Sequence, residues 1–291
     1  MKNITELLFV LNARGYLWFV PDKSWIKYMY KKTLHKKLNL NNPKTFNEKL
    51  QWLKINNRVP EFSKLVDKLE VKRYVAERIG EQYIIPTLGV WDTFEEIDFN
   101  MLPNQFVLKC THDSGGLVIC RNKKELDYEN TKKRINKSLK KNYYYHGREW
   151  VYKNVKARII AEEYLSNLGL NGLLDYKFYC FHGIPRFLYI SEGLENHSTA
   201  HISFVNLDWT FAPYGRSDYE KFCKLPDKPS NFDKMIEIAK ILSKGHKFIR
   251  VDLYNIDGKI YFSELTFFPC SGMMPFVSEQ DDIELGKLLK L

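Results

Sequence analysis

The chain has 291 residues, 44% of them hydrophobic and 27% charged, with 45 Lys and Arg against 35 Asp and Glu for a formal net charge of +10. This is the composition of a globular protein with room for about two domains and a sizeable core, not of a disordered chain, and no stretch approaches the ~18 apolar residues needed to span a bilayer. The basic excess either solubilises the surface or favours an anionic partner: a nucleotide, a nucleic acid, an acidic glycan or an anionic lipid surface.

Residues 1–60 read as helical and basic. Trp18, Phe19, Trp25, Tyr28 and Tyr30 read as exposed-type aromatics, with Lys31, Lys32, Lys36 and Lys37 close by. This pattern suits a helical cap packed on the body of the protein, or contact with an anionic membrane surface or acidic glycan. Thr45 is placed to cap a helix running through Lys49-Leu50 and Trp52-Leu53. Asp67 to Ile79 predicts a helix with Val71, Val75 and Ile79 on one face and Gly80 as its stop. A short strand and turn follow over 83–91. Phe106 to Cys120 reads as strand, Ser-Gly-Gly turn and strand. Residues 123–146 predict a Lys-rich helix and an exposed loop ending at Tyr143 to Gly147. The second half is strand-rich: 158–165 as a strand, 175–191 as a hairpin about His182-Gly183, and 248–265 as a hairpin about Asp257-Gly258. A helix covers 231–242 between the two hairpins. No internal repeat or low-complexity linker divides the chain. The five cysteines, Cys110, Cys120, Cys180, Cys223 and Cys270, lack metal or redox spacing and are expected as buried thiols. Leu7 to Leu11 is apolar, but Asn12 and Arg14 interrupt it and no small-residue cleavage pattern follows. The expected location is therefore cytoplasmic.

Lys109 ends an apolar run, and Ser114-Gly115-Gly116 follows five residues later. Glycine backbone approaches anions closely and its N–H groups donate to phosphate oxygens, so the pair suits a phosphate-binding hairpin; a β-turn beside a surface lysine is the plain alternative. Glu162 and Glu163, at a strand end, are either solvated charges or one accepts from the exocyclic amine of a purine. Lys177, on an aromatic strand, is either an edge-strand solubiliser or a phosphate contact, and the residue alone favours the first. Asp252 and Glu264 are equidistant from Gly258. A bulged or three-residue loop places them opposite each other on one face, with Arg250 on that face too. Facing carboxylates in an apolar setting require a cation, either Mg²⁺ or Arg250 itself in a buried ion network.

Taken in order, Asn42 to Leu50, Asp67-Lys68, Ile85-Pro86, Phe106 to Lys109, Arg158 to Leu165, Asp175 to Phe178 and Glu264 to Pro269 resemble the TupA-like (teichuronopeptide-synthesis type) amidoligase branch of the ATP-grasp superfamily, some of whose relatives in capsule loci carry glycosyltransferase labels. The resemblance runs from about residue 40 to the end. It implies an α+β fold in which two lobes with mainly antiparallel sheets hold ATP between them, preceded by a helical segment. The expected divisions are 1–60 for that segment, 61–165 for the part carrying the phosphate-binding hairpin and 166–291 for the lobe with the metal site. ATP and Mg²⁺ are the implied cofactors. Lys109 and Lys177 resemble the phosphate-binding cations, Ser114, Gly115 and Gly116 the loop closing over the phosphates, and Glu162 the acid at the adenine amine. Glu163 is its neighbour and Leu165 offers backbone to the ring edge. Lys68 matches an early nucleotide-contacting lysine, with Lys72 competing. Asp252 and Glu264 match the metal ligands. Many superfamily members end this set in Glu-x-Asn, whereas here Thr266 stands in the last place, as a ligand or as the holder of a water.

The implied reaction is ATP-dependent amide formation through an acylphosphate, with Arg250 and Lys177 neutralising the transferring phosphoryl group. The implied substrates are an amino acid or other amine and a uronic acid or acidic polymer of a surface polysaccharide. Residues 197–219 have loop character and are the candidate acceptor segment, with His201 and Arg216 as substrate contacts. No nucleic-acid partner is expected. Peripheral association with the inner face of the membrane, through the basic aromatic N-terminus, is the remaining expectation. Two competing readings make separate demands. A nucleotide-sugar glycosyltransferase needs a short acidic metal motif, and a basic module binding nucleic acid or membrane surface needs neither Asp252 nor Glu264.

Overall fold

The computed structural model describes residues 4–165, 173–193 and 200–291. The elements in chain order are helices α1 (Ile4–Ala13), α2 (Asp22–Leu34), α3 (Phe46–Asn56), α4 (Phe62–Val66) and α5 (Glu70–Ile79), then strands β1 (Thr87–Trp91), β2 (Phe106–Cys110) and β3 (Leu117–Cys120). They continue with α6 (Tyr128–Leu139), α7 (Tyr144–Gly147), β4 (Ile159–Glu163), β5 (Asp175–Phe181), β6 (Ile184–Glu192), β7 (His201–Asn206), α8 (Phe232–Ser243), β8 (Phe248–Ile256), β9 (Lys259–Thr266) and α9 (Glu279–Leu288). The fold is α+β, and every strand-to-strand ladder in it is antiparallel. The chain forms two compact units. The first comprises Met1–Ile26, Arg58–Tyr74 and Ile85–Leu165; the second comprises Lys27–Asn57, Val75–Ile84 and Ser166–Leu291.

The first unit is built on a four-stranded sheet of order β1-β4-β2-β3. Strand alternation sends Phe106, Leu108 and Cys110 of β2 into a core with Phe94, Ile135 and Ile159, while Val107 and Lys109 take the opposite face. The stretch expected as an exposed loop ending at Gly147 turns inward instead, with Tyr144 and Gly147 buried. The cause is Arg148, which is 1% exposed. Its guanidinium donates to Asn12 Oδ1 and to the Leu17 carbonyl, each at 2.7 Å, and so ties the α1–α2 connection to this segment. Asp22 supplies the counter-charge, 3.4 Å from Nη1, that makes a buried guanidinium tolerable.

The second unit holds a five-stranded sheet of order β7-β6-β5-β8-β9. One face of β5 packs on α8, where the rings of Phe178 and Phe232 stack at 5.8 Å. The other face carries an aromatic cluster in which Phe46 of α3 sits 4.9 Å from the Phe248 ring. Thr45 caps α3 in a full capping box with Glu48, as the sequence predicts. Asp257 and Gly258, both at positive φ (50° and 78°), close β8 onto β9 as a two-residue turn. A bulge then leaves Ser263 unpaired and brings Asp252 opposite Glu264. Three expectations are corrected here. Residues 201–206, read as loop, form edge strand β7, whose alternating Ile202 and Phe204 bury against β6; the part of that segment at 197–199 lies outside the described residues. Of the cysteines expected to be buried, Cys223 is exposed and Cys270 half-buried. Trp25 and Tyr30, read as exposed-type aromatics, are buried. The helix α9 had no sequence-level counterpart.

Asn47 of α3 is fully engaged: its side chain donates to the Met274 carbonyl at 2.9 Å and to Asp282 Oδ2 at 3.1 Å, and accepts from Met274 N at 2.8 Å. Asn47→Ala removes one of the donors to buried Asp282, which keeps the residue-47 N–H at 2.8 Å, and takes the Asn47 partner from the buried Met274 N–H and carbonyl, so it should cost roughly 3 kcal/mol, seen as a lower urea midpoint at unchanged m. His246 supplies a pH test. It is buried edge-on to Phe267, and burial pushes its pKa from 6.5 down to about 4. The neutral folded form competes against protonation of the unfolded chain, so stability is full above pH 6.5 and falls as pH drops towards 4, by about 3 kcal/mol from this group. His246→Phe should flatten that limb of a stability–pH curve.

Candidate active site

In the second unit the register lines up one row of side chains across the sheet: Tyr189 of β6, Lys177 of β5, Asp252 of β8 and Glu264 of β9. The next row places Arg250 opposite Thr266. Asp252 is 0% exposed and accepts from both sides. Arg250 grips it with two nitrogens, at 2.7 and 2.6 Å, and Lys177 Nζ lies 2.9 Å from Oδ2. Burial alone would raise the Asp252 pKa, but the Arg250 and Lys177 charges outweigh it and hold the group ionised below the usual carboxylate range. Burial likewise opposes the charge on Lys177, and Asp175 and Asp252 overcome it, raising its pKa well above the ordinary value. Lys177 is therefore no edge-strand solubiliser: β5 is the central strand and the side chain is buried.

Arg250 Nη2 touches one oxygen from each of three side chains: Asp252 Oδ2 at 2.6 Å, Glu264 Oε1 at 3.0 Å and Thr266 Oγ1 at 3.1 Å. Three hard oxygen donors thus converge on one cationic point. Glu264 is the solvent-facing member, with a side chain 45% exposed. Among the described residues no group of three or more His, Cys, Asp or Glu side chains has metal-holding geometry. A cation held here would use two carboxylates and the Thr266 hydroxyl, and complete its shell from water or phosphate.

In the first unit Glu162 is 4% exposed and pairs with two lysines. Lys109 Nζ lies 2.6 Å from Oε2 and Lys72 Nζ contacts Oε1. Burial would raise the Glu162 pKa, but Lys109 and Lys72 together lower it. Lys72 also donates to the Ile85 carbonyl and Thr87 Oγ1, each at 2.7 Å. Lys68 turns elsewhere and donates to the Asp113 carbonyl. The geometry therefore sets Lys72, not Lys68, beside Lys109. Glu163 is exposed at the strand end and Leu165 lies two residues beyond it.

Ser114 and Gly115 lie exposed in the β2–β3 loop, whereas Gly116 is buried. Asp113 anchors the loop: its carboxylate accepts from Gly116 N at 3.1 Å and from the Ser138 hydroxyl of α6. A Cβ on Gly116 would meet Ser138 Oγ at 2.5 Å and Cys110 Sγ at 2.6 Å, while one on Gly115 meets only Asp113 Oδ2 at 4.0 Å. The two candidate acceptor residues already have partners. Arg216 makes a bidentate pair with Asp218 at 2.9 and 2.7 Å, and His201 lies 3.5 Å from Glu192. Asp175, Tyr189 and Asp113 had no assigned role in the sequence. Asp175 was within reach, because alternation from Lys177 puts it on the same face.

A family model described as TupA-like ATPgrasp matches residues 48–290. The chain belongs to the TupA-like ATP-grasp family. No functionally curated protein matches it. Among solved structures it is similar to the D-alanine–D-alanine ligase of Bacillus anthracis complexed with ATP, at 17% identity and TM-score 0.38, over 70% of this chain and 54% of that one. It is also similar to the D-alanine–D-alanine ligase of Helicobacter pylori, at 12% identity and TM-score 0.45, over 84% and 67% of the two chains. A third is the N5-carboxyaminoimidazole synthetase of Staphylococcus aureus complexed with ADP, at 15% identity and TM-score 0.43, over 69% and 44%. The chain spans about half the length of the ATP-bound ligase it matches.

Gly116→Ala forces β3 away from α6, whereas Gly115→Ala has room. The first should cost about 1–3 kcal/mol in denaturant unfolding and the second less than about 1 kcal/mol.

Proposed function

We propose that this TupA-like ATP-grasp protein is an ATP-dependent carboxylate–amine ligase acting through an acylphosphate. The observation that carries the reading is the convergence of Asp252, Glu264 and Thr266 oxygens on Arg250 Nη2, with the buried Lys177 also on Asp252. Asp252, Glu264 and Thr266 are the residues that would hold Mg²⁺, which would supply charge neutralisation for the nucleotide phosphates. Lys109, with Lys72 beside it, contacts the α/β-phosphates, and the Ser114–Gly116 loop donates backbone N–H groups to the phosphates. Glu162 fixes both lysines, so its approach to an adenine amine, and the backbone contacts of Leu165, belong to the nucleotide-bound state.

The substrate carboxylate attacks the γ-phosphorus, and the bridging oxygen leaves with ADP. Arg250 and Lys177 stabilise charge on the phosphoryl oxygens as they transfer. The amine nitrogen then attacks the acyl carbon, phosphate leaves with its electron pair, and the ammonium proton passes to solvent. The proposed carboxyl donor is a uronic acid or acidic polymer and the amine an amino acid, in the formation of a surface polysaccharide. The resemblance of the Asn42–Leu50 and Glu264–Pro269 segments to teichuronopeptide-type enzymes supports this, as does a net charge of +10. Arg216 and His201 remain the proposed acceptor contacts, Arg216 by exchanging Asp218 for a substrate carboxylate.

The test is thermal unfolding with and without MgATP. At about a hundredfold excess over Kd, binding should add roughly 2.7 kcal/mol, or on the order of 5 °C in Tm. Lys109→Ala and Asp252→Asn should lose most of the shift. ADP release should then require both a uronic acid and an amino acid. Full retention of MgATP-dependent product by Glu264→Ala would refute the site assignment.

A further inference from the structure

Among the described residues, six of the thirteen exposed large apolar side chains fall within residues 4–19. Ile4, Leu7 and Val10 are 75%, 49% and 36% exposed. Their three-residue spacing stacks them along one side of α1. The other side is anchored: Asn12 is 1% exposed and accepts from Arg148, and the Phe9 ring packs edge-on to Trp25 at 6.0 Å. The chain then turns at Gly15 and presents Tyr16, Trp18 and Phe19 at 61%, 70% and 64% exposure, with the last two rings 6.1 Å apart. The remaining exposed apolar side chains are scattered singly, as is ordinary, but a run of six is not. Arg14 within the run and Lys23 just after it are both exposed, and of the two acids in residues 4–26 one, Asp22, is held by Arg58 at 2.6 Å. No helix among the described residues is long and apolar enough to cross a membrane.

We propose that residues 4–19 are a peripheral membrane-docking surface whose occupant is an anionic lipid bilayer. The Ile4–Leu7–Val10 stripe and the Trp18–Phe19 pair enter the headgroup region, and Arg14 and Lys23 meet lipid phosphates. A short amphipathic helix followed by Trp and Phe, with Arg14 and Lys23 beside them in the chain, is the chemistry that an interface selects: indole and phenyl rings sit at headgroup depth while cations pair with anionic lipid. A protein partner would not need these two cations, and the charge is what favours lipid. This inference goes beyond the ligase reading and does not rest on it.

The experiment is flotation of the full chain with vesicles of phosphatidylcholine alone or mixed with phosphatidylglycerol, at low and high salt. The wild type should float with the mixed vesicles, less with the zwitterionic ones, and less again at high salt. Trp18→Ser with Phe19→Ser should weaken flotation by about tenfold or more while leaving the thermal midpoint unchanged. Arg14→Glu with Lys23→Glu should weaken it on mixed vesicles only. Tryptophan emission should shift to the blue on mixed vesicles, and the shift should vanish in Trp18→Phe. Three results would overturn the proposal: no flotation with mixed vesicles, equal flotation of the Trp18–Phe19 variant, or a wild-type dimer in light scattering that this variant converts to monomer, which would make a second copy the occupant.

Discussion

Asp252 has no exposed surface, and a lone carboxylate in that position among aromatic strands would shed its charge. It stays ionised because Arg250 and Lys177 clamp it from two directions, and they in turn stay charged because it is there. The whole row depends on this reciprocity. Lys177 is fixed on the central strand, Arg250 is aimed at Glu264 and Thr266, and the oxygens of β8 and β9 are drawn to one point. Removing either cation would leave a buried charge uncompensated, which is far costlier than never having built the pair.

The first unit uses the same device with the signs exchanged in number: one buried carboxylate, Glu162, holds two lysines. Lys72 is the more desolvated partner, and burial lowers its pKa, with Glu162 opposing the fall. Held this way, both lysines are ordered in the folded chain at positions fixed by Glu162. Arg250 stands in a comparable relation to its three oxygens. It occupies the point on which they converge.

The strand that carries Glu264 and Thr266 leaves the sheet through a strained turn. Cys270 and Ser271 both adopt left-handed backbone, at φ 50° and 53°, at a cost non-glycine residues meet only where their surroundings insist on it. Here α3 does the insisting. Gln51 Nε2 donates to the carbonyls of Ser271 and Gly272 at 2.8 and 2.7 Å, and Lys54, fully buried, donates to Ser271 O at 2.8 Å. With Asn47 on Met274, this gives the early Asn42–Leu50 segment a physical purpose: it braces the exit of the candidate metal strand from more than two hundred residues away in the chain.

Local patterns were enough for much of this. The capping box at Thr45, the alternation in β2 and β5, the Asp257-Gly258 turn and the pairing of Asp252 with Glu264 follow from periods of 3.6 and 2 and from turn chemistry, which act over a few residues. Even there the Asp252–Glu264 pairing arises from a bulge at Ser263, which spacing alone does not distinguish from a longer loop. What the sequence could not decide is which strand is central and what meets what across long separations. Lys177 looked like an edge-strand lysine because the carboxylate it donates to, Asp252, lies seventy-five residues away, and the nearby Asp175 does not by itself reveal a buried pair. Lys68 and Lys72 were indistinguishable until the sheet placed Glu162 beside one of them, and the inward turn at Arg148 awaited acceptors from α1. Sequence by itself determined most of the elements, β7, α7 and α9 excepted, and the order of the chemistry, because those are set by near neighbours. Tertiary structure alone decided which charges are paired, because desolvation acts on a residue only once distant strands have closed over it.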